Sequence, residues 1–399
     1  MSASGKRRAW RSRAMHVLVN ALAATNLSAR NVLLGHLLRL AEWTRGDHEF
    51  TVLHHTGNAD LRRDLGAHVR WYCAPSATSH WAQRAGWEFL VLPGLIRECG
   101  ADLVFMCSGT TLTRCPVPQV VMALNPWAMV PSVHRGAGER CKASLQRRAY
   151  RAAVGGAAMI GYASKYLQTL YEDNAGAPAR TSSVIYAGLN DDVLESAVEP
   201  RYGLLREPNR IVCASLMAPH KGVETVVDAV HTLRKDRGSS AELYIVGGWV
   251  KADHERNVRR RVAEYGLDSV VRFTGHVSRE ELFEQYAKAS VFCLMSHCES
   301  FGIPAVEAQA FGTPVICADC CAPPEVCGDG GIYPPPGDTG GTADALELLL
   351  GDDGAWKVRS EAALRNASRY RYDLTARGWM SMFELGDGHG RKSSGGARG

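Results

Sequence analysis

The stretch SVFCLMSHCESFGIPAVEAQAFGTPVICAD (residues 290–319) carries the pattern that decides the fold. It begins with a continuous apolar run at 290–296 and ends with a second one at 313–319, and each predicts a buried strand. Between them PAVEAQAFG (304–312) predicts a helix, with Pro304 suited to its first turn. Strand, helix and strand in succession predict two parallel strands joined by a helical crossover, which is one unit of an α/β sheet.

The same alternation continues on both sides of this stretch. Apolar runs predict further strands at residues 16–22, 48–56, 103–108, 118–124, 157–164, 182–188, 210–217, 241–248 and 271–277. Apolar residues at helical spacing predict helices at 28–44, 139–154, 222–236, 278–289 and 342–352, the first with Ser28 as its N-cap.

The segment AVEPRYGLLREPNR (197–210) interrupts this alternation. It contains two prolines, a glycine and several charged residues, so we interpret it as a linker between two α/β domains of similar size. Parallel sheets bind ligands at the carboxyl ends of their strands. A cleft between the two domains is therefore the expected position of a ligand site.

Composition excludes several classes of protein. Of the 399 residues, 46% are hydrophobic and 22% charged, which is incompatible with a disordered or fibrous chain. The net charge of +5 comes entirely from Lys6, Arg7, Arg8, Arg11 and Arg13, because the rest of the chain balances its basic and acidic side chains. A neutral body with a short basic tail does not indicate a nucleic-acid-binding protein.

The N-terminal segment has two readings. A basic stretch followed by MHVLVNALAA resembles a secretory signal, but Asn20 interrupts the apolar run, and we favour a first buried strand. We also expect Met15 to be the true initiator, with residues 1–14 an upstream extension or a disordered arm. No apolar run in the sequence reaches the roughly 18 residues that a membrane span needs.

The twelve cysteines are too few for a disulfide scaffold. CADCC (317–321) contains a C-x2-C pair, yet no second pair follows and His297 is the only imidazole nearby. We therefore favour buried, reduced thiols in a cytosolic protein over a zinc site.

The loop between the strand and helix of the opening stretch is the strongest candidate site. The amides of residues 300–304 are free at a helix N-terminus, where a phosphate or a sugar hydroxyl binds favourably. Glu299 stands on the loop and Glu307 one turn into the helix, so the two carboxylates can hold two parts of one extended ligand. Taken singly, Glu299 is equally explained as a solvated loop acid and Glu307 as an acid near a helix N-terminus.

Three weaker features lie at other strand ends. Lys221-Gly222 follows a predicted strand, where the lysine can reach a diphosphate and the glycine allows a tight turn, although a surface lysine explains the pair equally well. Gly247 and Gly275 would let a nucleotide base or ribose approach the backbone, and ordinary turns are the alternative. Neither a G-x-G-x-x-G nor a Walker sequence is present.

Taken in order, five segments resemble the donor domain of family-4 glycosyltransferases, which have the GT-B fold. They are SLMAPHKG (215–222), AELYIVGG (241–248), VRFTGHVSREEL (271–282), the pair Glu299 and Glu307, and PPEVCGDGG (323–331). The resemblance covers about residues 205–375 well and residues 15–195 more loosely. It implies two Rossmann-like α/β domains with parallel sheets that face each other across a cleft.

The resemblance also implies roles for individual residues. Lys221 would neutralise the donor diphosphate and Glu299 would contact the donor sugar, while Glu307 would hold the ribose. The remaining implied contacts with the donor are Ser300, Phe301, Gly302, Gly222, Gly247, the base-binding Gly275, His276 and Val277, and Arg30 from the other domain. Transfer would retain anomeric configuration without a metal or other cofactor.

The sequence departs from the family pattern at the phosphate site. Leu216 stands where the family usually has an arginine, and Arg30 is one candidate to replace that cation. On the acceptor side, Asn125 and Trp127 could bind a saccharide or lipid-linked saccharide, but Trp127 is also explained as a half-buried aromatic residue. The alternatives are a nucleotide-sugar-binding partner subunit with little activity, and a hydrolase that uses Glu299 and Glu307 as acid and nucleophile.

We divide the chain accordingly into six segments. They are a disordered extension (1–14), an acceptor-side domain (15–197), a linker (198–209), a donor domain (210–371), a helix crossing back to the first domain (372–385) and a disordered tail (386–399). We expect a cytoplasmic protein of polysaccharide or glycoconjugate synthesis. The basic helix at 139–154 indicates either contact with the inner face of a membrane or, preferably, an ordinary solvated face.

Overall fold

The computed structural model describes residues 14–65, 69–203 and 205–386. Apart from Ala14 and Gly386, the predicted N-terminal extension and C-terminal tail lie outside the described residues, as does Leu204 of the predicted linker.

The first domain is built on a seven-stranded sheet with the order β3-β2-β1-β4-β5-β6-β7. Every pairing in it is parallel, and central β1 places Val17 beside Phe50 of β2 and Leu103 of β4. The strands are β1 (Met15–Asn20), β2 (His48–His54), β3 (Arg70–Cys73), β4 (Leu103–Met106), β5 (Gln119–Ala123), β6 (Met159–Tyr162) and β7 (Ser182–Val184).

Helices cover both faces of this sheet. They are α1 (Leu27–Trp43), α2 (Leu61–Leu65), α3 (Trp81–Leu90), α4 (Leu92–Glu98), α5 (Ala137–Gly156), α6 (Lys165–Ala175) and α7 (Asp191–Ala197). The predicted N-cap of α1 is wrong by two residues. Asn26 takes this position, and its side chain accepts a hydrogen bond from the Ala29 amide at 2.7 Å.

The second domain has a six-stranded parallel sheet with the order β10-β9-β8-β11-β12-β13. Its strands are β8 (Arg210–Ala214), β9 (Glu242–Val246), β10 (Val271–Gly275), β11 (Val291–Leu294), β12 (Val315–Cys317) and β13 (Gly331–Ile332). Its helices are α8 (Val223–Arg237), α9 (Ala252–Glu264), α10 (Arg279–Lys288), α11 (Ile303–Ala310), α12 (Pro323–Cys327), α13 (Thr339–Gly351) and α14 (Asp353–Ala367). The prediction of two parallel-sheet α/β domains is confirmed.

The end of the described chain packs on the first domain. It forms α15 (Tyr372–Thr375) and a 3-10 helix (Ala376–Gly386) rather than one continuous α-helix. Trp379 is fully buried against Gly161 of β6, where even a Cβ would lie 2.2 Å from the indole. Phe383 stacks on His48 with ring centroids 4.1 Å apart.

Hydrogen bonds to the carboxylate of Glu325, in the second domain, connect the two domains. Glu325 of α12 accepts hydrogen bonds from the amides of Lys165 and Tyr166, at 2.8 and 3.0 Å, and from the Tyr186 hydroxyl at 2.8 Å. The two amides lie in the first turn of α6, whose dipole favours the negative charge. Among the described residues, no helix is long and apolar enough to cross a membrane.

Candidate functional site

The carboxyl edge of the second sheet presents a helix N-terminus. After β11 the chain passes through residues 295–302 and enters α11, with Gly302 as N-cap and Pro304 in the first turn. Gly302 has φ +94°, a left-handed conformation that glycine adopts without strain. The side chain of Phe301 is 2% exposed and packs on Tyr370, so only its amide is available to a ligand.

Lys221 and Glu299 form an ion pair at this edge. The Lys221 Nζ lies 2.6 Å from Glu299 Oε1, and the two side chains are 17% and 12% exposed. They follow β8 and β11, which are neighbours in the sheet. Gly222 allows this approach because it has φ +65° and a Cβ on it would lie 1.9 Å from the Met295 carbonyl oxygen.

Glu307 occupies a more enclosed position between α10 and α11. Its Oε2 accepts from the Tyr286 hydroxyl at 3.0 Å, and its Oε1 lies 3.5 Å from Arg279 Nη1. Burial raises the pKa of Glu307, while Arg279 and Tyr286 oppose that shift. A carboxylate has about four lone-pair positions, so these two partners leave capacity for a ligand hydroxyl.

The two remaining glycines lie on neighbouring strand ends and differ in their surroundings. The Gly247 amide donates to the Gly275 carbonyl at 2.8 Å, which joins the exits of β9 and β10. Gly247 has φ +128° and its Cβ position lies 1.9 Å from the Ser215 carbonyl oxygen, whereas Gly275 faces open space. His276 is exposed, Val277 is half-buried and Ser300 is half-buried, so all three lie at the surface of this edge.

The first sheet contributes a different set of groups at its own carboxyl edge. Arg30 on α1 pairs with Asp60 at 2.5 Å. Asn20, which is 2% exposed, donates through Nδ2 to Glu88 Oε1 at 2.8 Å, and Arg84 donates to the Leu22 carbonyl at 3.2 Å. Burial raises the pKa of Glu88, with the Asn20 hydrogen bond and the Arg84 charge acting against it.

This cluster of Asn20, Arg84 and Glu88 was not predicted from the sequence. Both charged residues lie on α3, a helix none of whose residues is fully buried. The contact between Asn20 and Glu88 joins residues 68 positions apart, which no local pattern of the sequence reveals.

Asn125 and Trp127 form a local turn on the same side. The Asn125 Oδ1 accepts from the Trp127 amide at 2.9 Å. Trp127 is half-buried, with His134 against its edge at 4.6 Å and Lys142 above its ring at 5.4 Å. The ring is therefore packed within its own domain, as its interpretation as a half-buried aromatic residue requires.

Charged residues of the two domains influence each other at the carboxyl edges of the two sheets. Burial, followed by the charge of Lys221 and with the smallest part from Arg135 of the first domain, lowers the pKa of His220 to about 4, against the opposing charge of Glu299. Glu139, also from the first domain, feels the charge of Lys251 in the second. Arg135 is thus a cation within electrostatic range of His220, the neighbour of Lys221 in the chain, and the sequence did not reveal it. Leu216 is 62% exposed.

The cysteines depart from the expectation of uniformly buried thiols. All twelve are free, but Cys73 and Cys141 are exposed because they lie on the short strand β3 and on the outer face of α5. Within residues 14–65, 69–203 and 205–386, no group of three or more His, Cys, Asp or Glu side chains could hold a metal ion.

Two parallel-sheet domains that face each other across charged edges define the GT-B class of fold, and solved structures of that class match almost the whole chain. HepE of Anabaena, in complex with UDP and glucose, superimposes with a TM-score of 0.69 at 17% identity over 93% of this chain and 99% of that one. Sucrose-phosphate synthase of Thermosynechococcus elongatus gives 0.72 at 16% identity over 94% and 100%. The predicted GT-B fold is confirmed.

Residues 198–369 match the model for glycosyl transferases group 1. The chain is 38% identical over 113 residues to MMP alpha-(1->4)-mannosyltransferase of Mycolicibacterium hassiacum, which covers 28% of this chain and 26% of the relative. It is 30% identical over 237 residues to D-inositol 3-phosphate glycosyltransferase of Nocardioides sp., which covers 55% and 51%. The matched segments thus span between about a quarter and half of these relatives' length.

Proposed function

We propose that the chain is a glycosyltransferase that moves a sugar from a nucleotide-sugar donor to an acceptor, with retention of anomeric configuration and without a metal. The observation that carries this proposal is the Lys221–Glu299 ion pair beside the N-terminus of α11. A cation, a carboxylate and free amides at one strand edge suit a ligand that joins a diphosphate to a sugar. The binding of UDP and glucose by a protein of the same fold supports this ligand class.

The ion pair itself suggests how the donor engages. A diphosphate carries more negative charge than one carboxylate, so it competes for Lys221 and draws Nζ away from Glu299. The released carboxylate then accepts hydrogen bonds from sugar hydroxyls and stabilises the positive charge of an oxocarbenium-like transition state. Lys221 and the amides of Phe301 and Gly302 stabilise the charge that builds on the departing diphosphate.

The rest of the donor extends along neighbouring strand ends. Glu307 binds the ribose, with Tyr286 and Arg279 fixing its carboxylate. The base rests by Gly275, His276 and Val277, where the surface is open.

A second cation is needed at the diphosphate because the ligand carries at least two charges there. Leu216 cannot supply it, and Arg30 already holds Asp60. We assign the role to Arg135, whose charge reaches His220 beside Lys221 from the opposite domain. Closure of the cleft on the donor would then bring a positive group from each domain to the leaving diphosphate.

The acceptor is proposed to be a saccharide or lipid-linked saccharide of cell-surface polysaccharide or glycoconjugate synthesis, bound at the edge of the first sheet near Asn20 and Glu88. Helix α3 supports a lipid-linked form, because Trp81, Phe89 and Leu90 on it are 50%, 42% and 77% exposed. Such apolar side chains, together with the basic residues of α5, suit the surface of an anionic membrane. We therefore propose a cytoplasmic protein that lies peripheral to the membrane.

The test is release of nucleoside diphosphate from a panel of nucleotide sugars, with and without saccharide acceptors and lipid extracts. The proposal predicts release that depends on acceptor and a product with the anomeric configuration of the donor, observed by NMR. Binding of a nucleotide sugar with no turnover over the panel would instead favour a donor-binding partner subunit. Leu216 motivates this alternative, because it replaces a cation that would stabilise the leaving diphosphate. Hydrolysis of a plain glycoside without nucleotide would overturn the proposal.

A further inference from the structure

Cys320 and Cys321 lie directly behind the loop that carries Glu299. The two residues follow β12, and their sulfur atoms are 3.6 Å apart. Cys321 has φ +62°, a left-handed conformation that non-glycine residues rarely adopt. Backbone strain of this kind persists only where the surrounding structure fixes it, and it clusters at functional positions.

Three successive residues here hold the backbone of the Glu299 loop. The Cys320 thiol donates to the Ser296 carbonyl at 3.4 Å, and the Cys321 thiol donates to the His297 carbonyl at 3.1 Å. The Ala322 amide donates to the carbonyl of Glu299 itself at 3.4 Å. The two thiols therefore hold the loop backbone three and two residues before Glu299.

The surroundings of the Cys321 sulfur favour its anion. Three hydrogen-bonding groups lie beside it: the Cys320 thiol, the backbone of Glu299 and the hydroxyl of Tyr166 on α6. These donors lower the pKa of Cys321, with the Cys320 thiol contributing most, against the opposing effects of burial and of the Glu299 charge. Burial, and the negative sulfur beside it, keep Tyr166 protonated by raising its pKa.

A third thiol on the same loop behaves in the opposite way. Cys298 is 8% exposed, and burial, with Cys321 and Glu299 nearby, raises its pKa to about 12. Cys321 is less enclosed and has the donors that Cys298 lacks. The contrast singles out Cys321 as the nucleophilic sulfur among the thiols that face the loop.

We propose that Cys320 and Cys321 form a thiol-modification site, at which Cys321 exchanges with a low-molecular-weight disulfide and thereby releases the Glu299 loop. The Cys321 thiolate attacks one sulfur of the disulfide, a new S–S bond forms to Cys321, and the original S–S bond breaks. The second sulfur leaves as a thiolate and takes a proton from solvent. The Cys321 sulfur is oxidised and the leaving sulfur is reduced, so no further oxidant is required.

The mixed disulfide changes the loop in two ways. Its sulfur is neutral, so it accepts hydrogen bonds from these neighbours more weakly than the anion does, and it can no longer donate to the His297 carbonyl. Its added group also needs space beside residues 296–299, which the loop now fills. The site stands on the contacts of the two thiols with residues 296 and 297, and only its effect on sugar transfer rests on the proposed function.

The test is to treat the reduced full-length protein with glutathione disulfide at neutral pH and to map the adducts by mass spectrometry over time. Cys73 and Cys141 are internal controls, because both are more exposed than Cys321. We expect Cys321 to be modified about tenfold faster than either control. The midpoint of its pH–rate profile should lie at lower pH than the midpoints of Cys73 and Cys141. Modification no faster than at the two exposed cysteines would overturn the proposal.

The Tyr166→Phe variant tests the mechanism without altering a thiol or a residue of the donor site. Loss of the hydroxyl should slow modification of Cys321 several-fold and move its pH–rate midpoint upward, with Cys73 and Cys141 unchanged. Hydrogen exchange across residues 296–302 should become faster in the glutathionylated wild type and remain slow in treated Cys321→Ser protein. An unchanged Cys321 rate in Tyr166→Phe, or unchanged exchange in the adduct, would contradict the proposed coupling.

Discussion

The carboxyl edges of the two sheets differ in how their charged side chains are paired and buried. At the second edge, Lys221 and Glu299 pair at 2.6 Å and both retain some exposure, so an incoming ligand can exchange with either partner. At the first edge, Glu88 is held by the buried Asn20, and burial raises the pKa of the carboxyl group. In the proposed function, this difference lets the second edge exchange its ion pair with a charged donor, while the first edge offers fixed hydrogen-bonding groups to a neutral acceptor.

The largest loss of turnover is expected when the carboxylate of Glu299 is replaced. In the proposed mechanism Glu299→Gln removes the charge that stabilises the oxocarbenium-like transition state, so turnover should fall by about 10²–10³-fold. The rate of nucleoside diphosphate release at saturating donor measures this turnover. Glu347→Gln, on the exposed face of α13, is the matched control and should retain full turnover. Equal rates for both variants would remove Glu299 from the reaction.

The second prediction concerns the stability of the same edge, where the backbone of Gly247 lies close to the Ser215 carbonyl. Gly247→Ala places a Cβ 1.9 Å from the Ser215 carbonyl oxygen at φ +128°, whereas Gly248→Ala meets nothing within 4 Å. We expect the first variant to lower the free energy of unfolding by about 3 kcal/mol and the second to change it little. Denaturant unfolding gives both values. Equal stability in the two variants would show that the β8–β9 exits tolerate displacement.

The third prediction tests whether the two edges are held together by Glu325. Glu325→Ala leaves the amides of Lys165 and Tyr166 and the Tyr186 hydroxyl without their charged acceptor. The expected loss is about 2 kcal/mol of unfolding free energy. Glu361→Ala on exposed α14 should cost far less, because its contact with Arg365 spans 4.0 Å at the surface. A loss no greater than that of this control would mean that the domains hold together without Glu325.

A smaller and more selective effect is expected at the first edge. Glu88→Gln retains an oxygen for Asn20 but removes the charge, so the KM for acceptor should rise by about tenfold while nucleotide affinity stays the same. Initial rates at varied acceptor, with calorimetry of the nucleotide, separate the two. A fall in nucleotide affinity would place Glu88 on the donor side and remove the contrast between the edges.

The same variant carries a pH signature. Because burial raises the native pKa of Glu88, the native state binds this proton more tightly than the unfolded chain does. The contribution of Glu88 to stability is therefore greatest at acid pH and declines as pH rises through the raised pKa. Unfolding free energies of wild type minus Glu88→Gln should fall from acid to neutral pH, and a flat difference would contradict the raised pKa.

The smallest effect is expected at Leu216, which stands where the family usually has an arginine. This side chain is 62% exposed, so Leu216→Arg fits without displacing the core and adds a cation near the diphosphate. Affinity for a nucleoside diphosphate should improve about threefold at low salt and less at high salt. Arg135→Ala should weaken the same affinity, and no change in that variant would leave the second cation unassigned.

The contrast between the edges also explains what the sequence could and could not predict. Glu299, Gly302 and Pro304 lie within six residues, so their geometry follows from one strand–loop–helix unit. Lys221 lies 78 residues from Glu299, and parallel strands still place both at one edge because each follows a strand. Phe301 was correctly placed in that loop, but burial of its side chain is a property of packing on Tyr370.

Features that depend on tertiary contact alone were missed. Asn20 and Glu88 are 68 residues apart and meet only in the folded domain, which no local pattern of the sequence reveals. Arg135 reaches His220 only because the domains face each other. The left-handed backbone of Cys321 has no signal in the residue type, since cysteine rarely adopts it.

The central claim is that the edge of the second sheet binds the diphosphate of a nucleotide sugar through Lys221. Calorimetric titration of wild type and Lys221→Met with a panel of nucleoside diphosphates and nucleotide sugars tests it most directly. The account predicts one site in wild type for at least one nucleotide sugar, with affinity at least tenfold weaker in Lys221→Met. Wild-type protein that binds no member of the panel, or a Lys221→Met variant that binds as tightly as wild type, would contradict it.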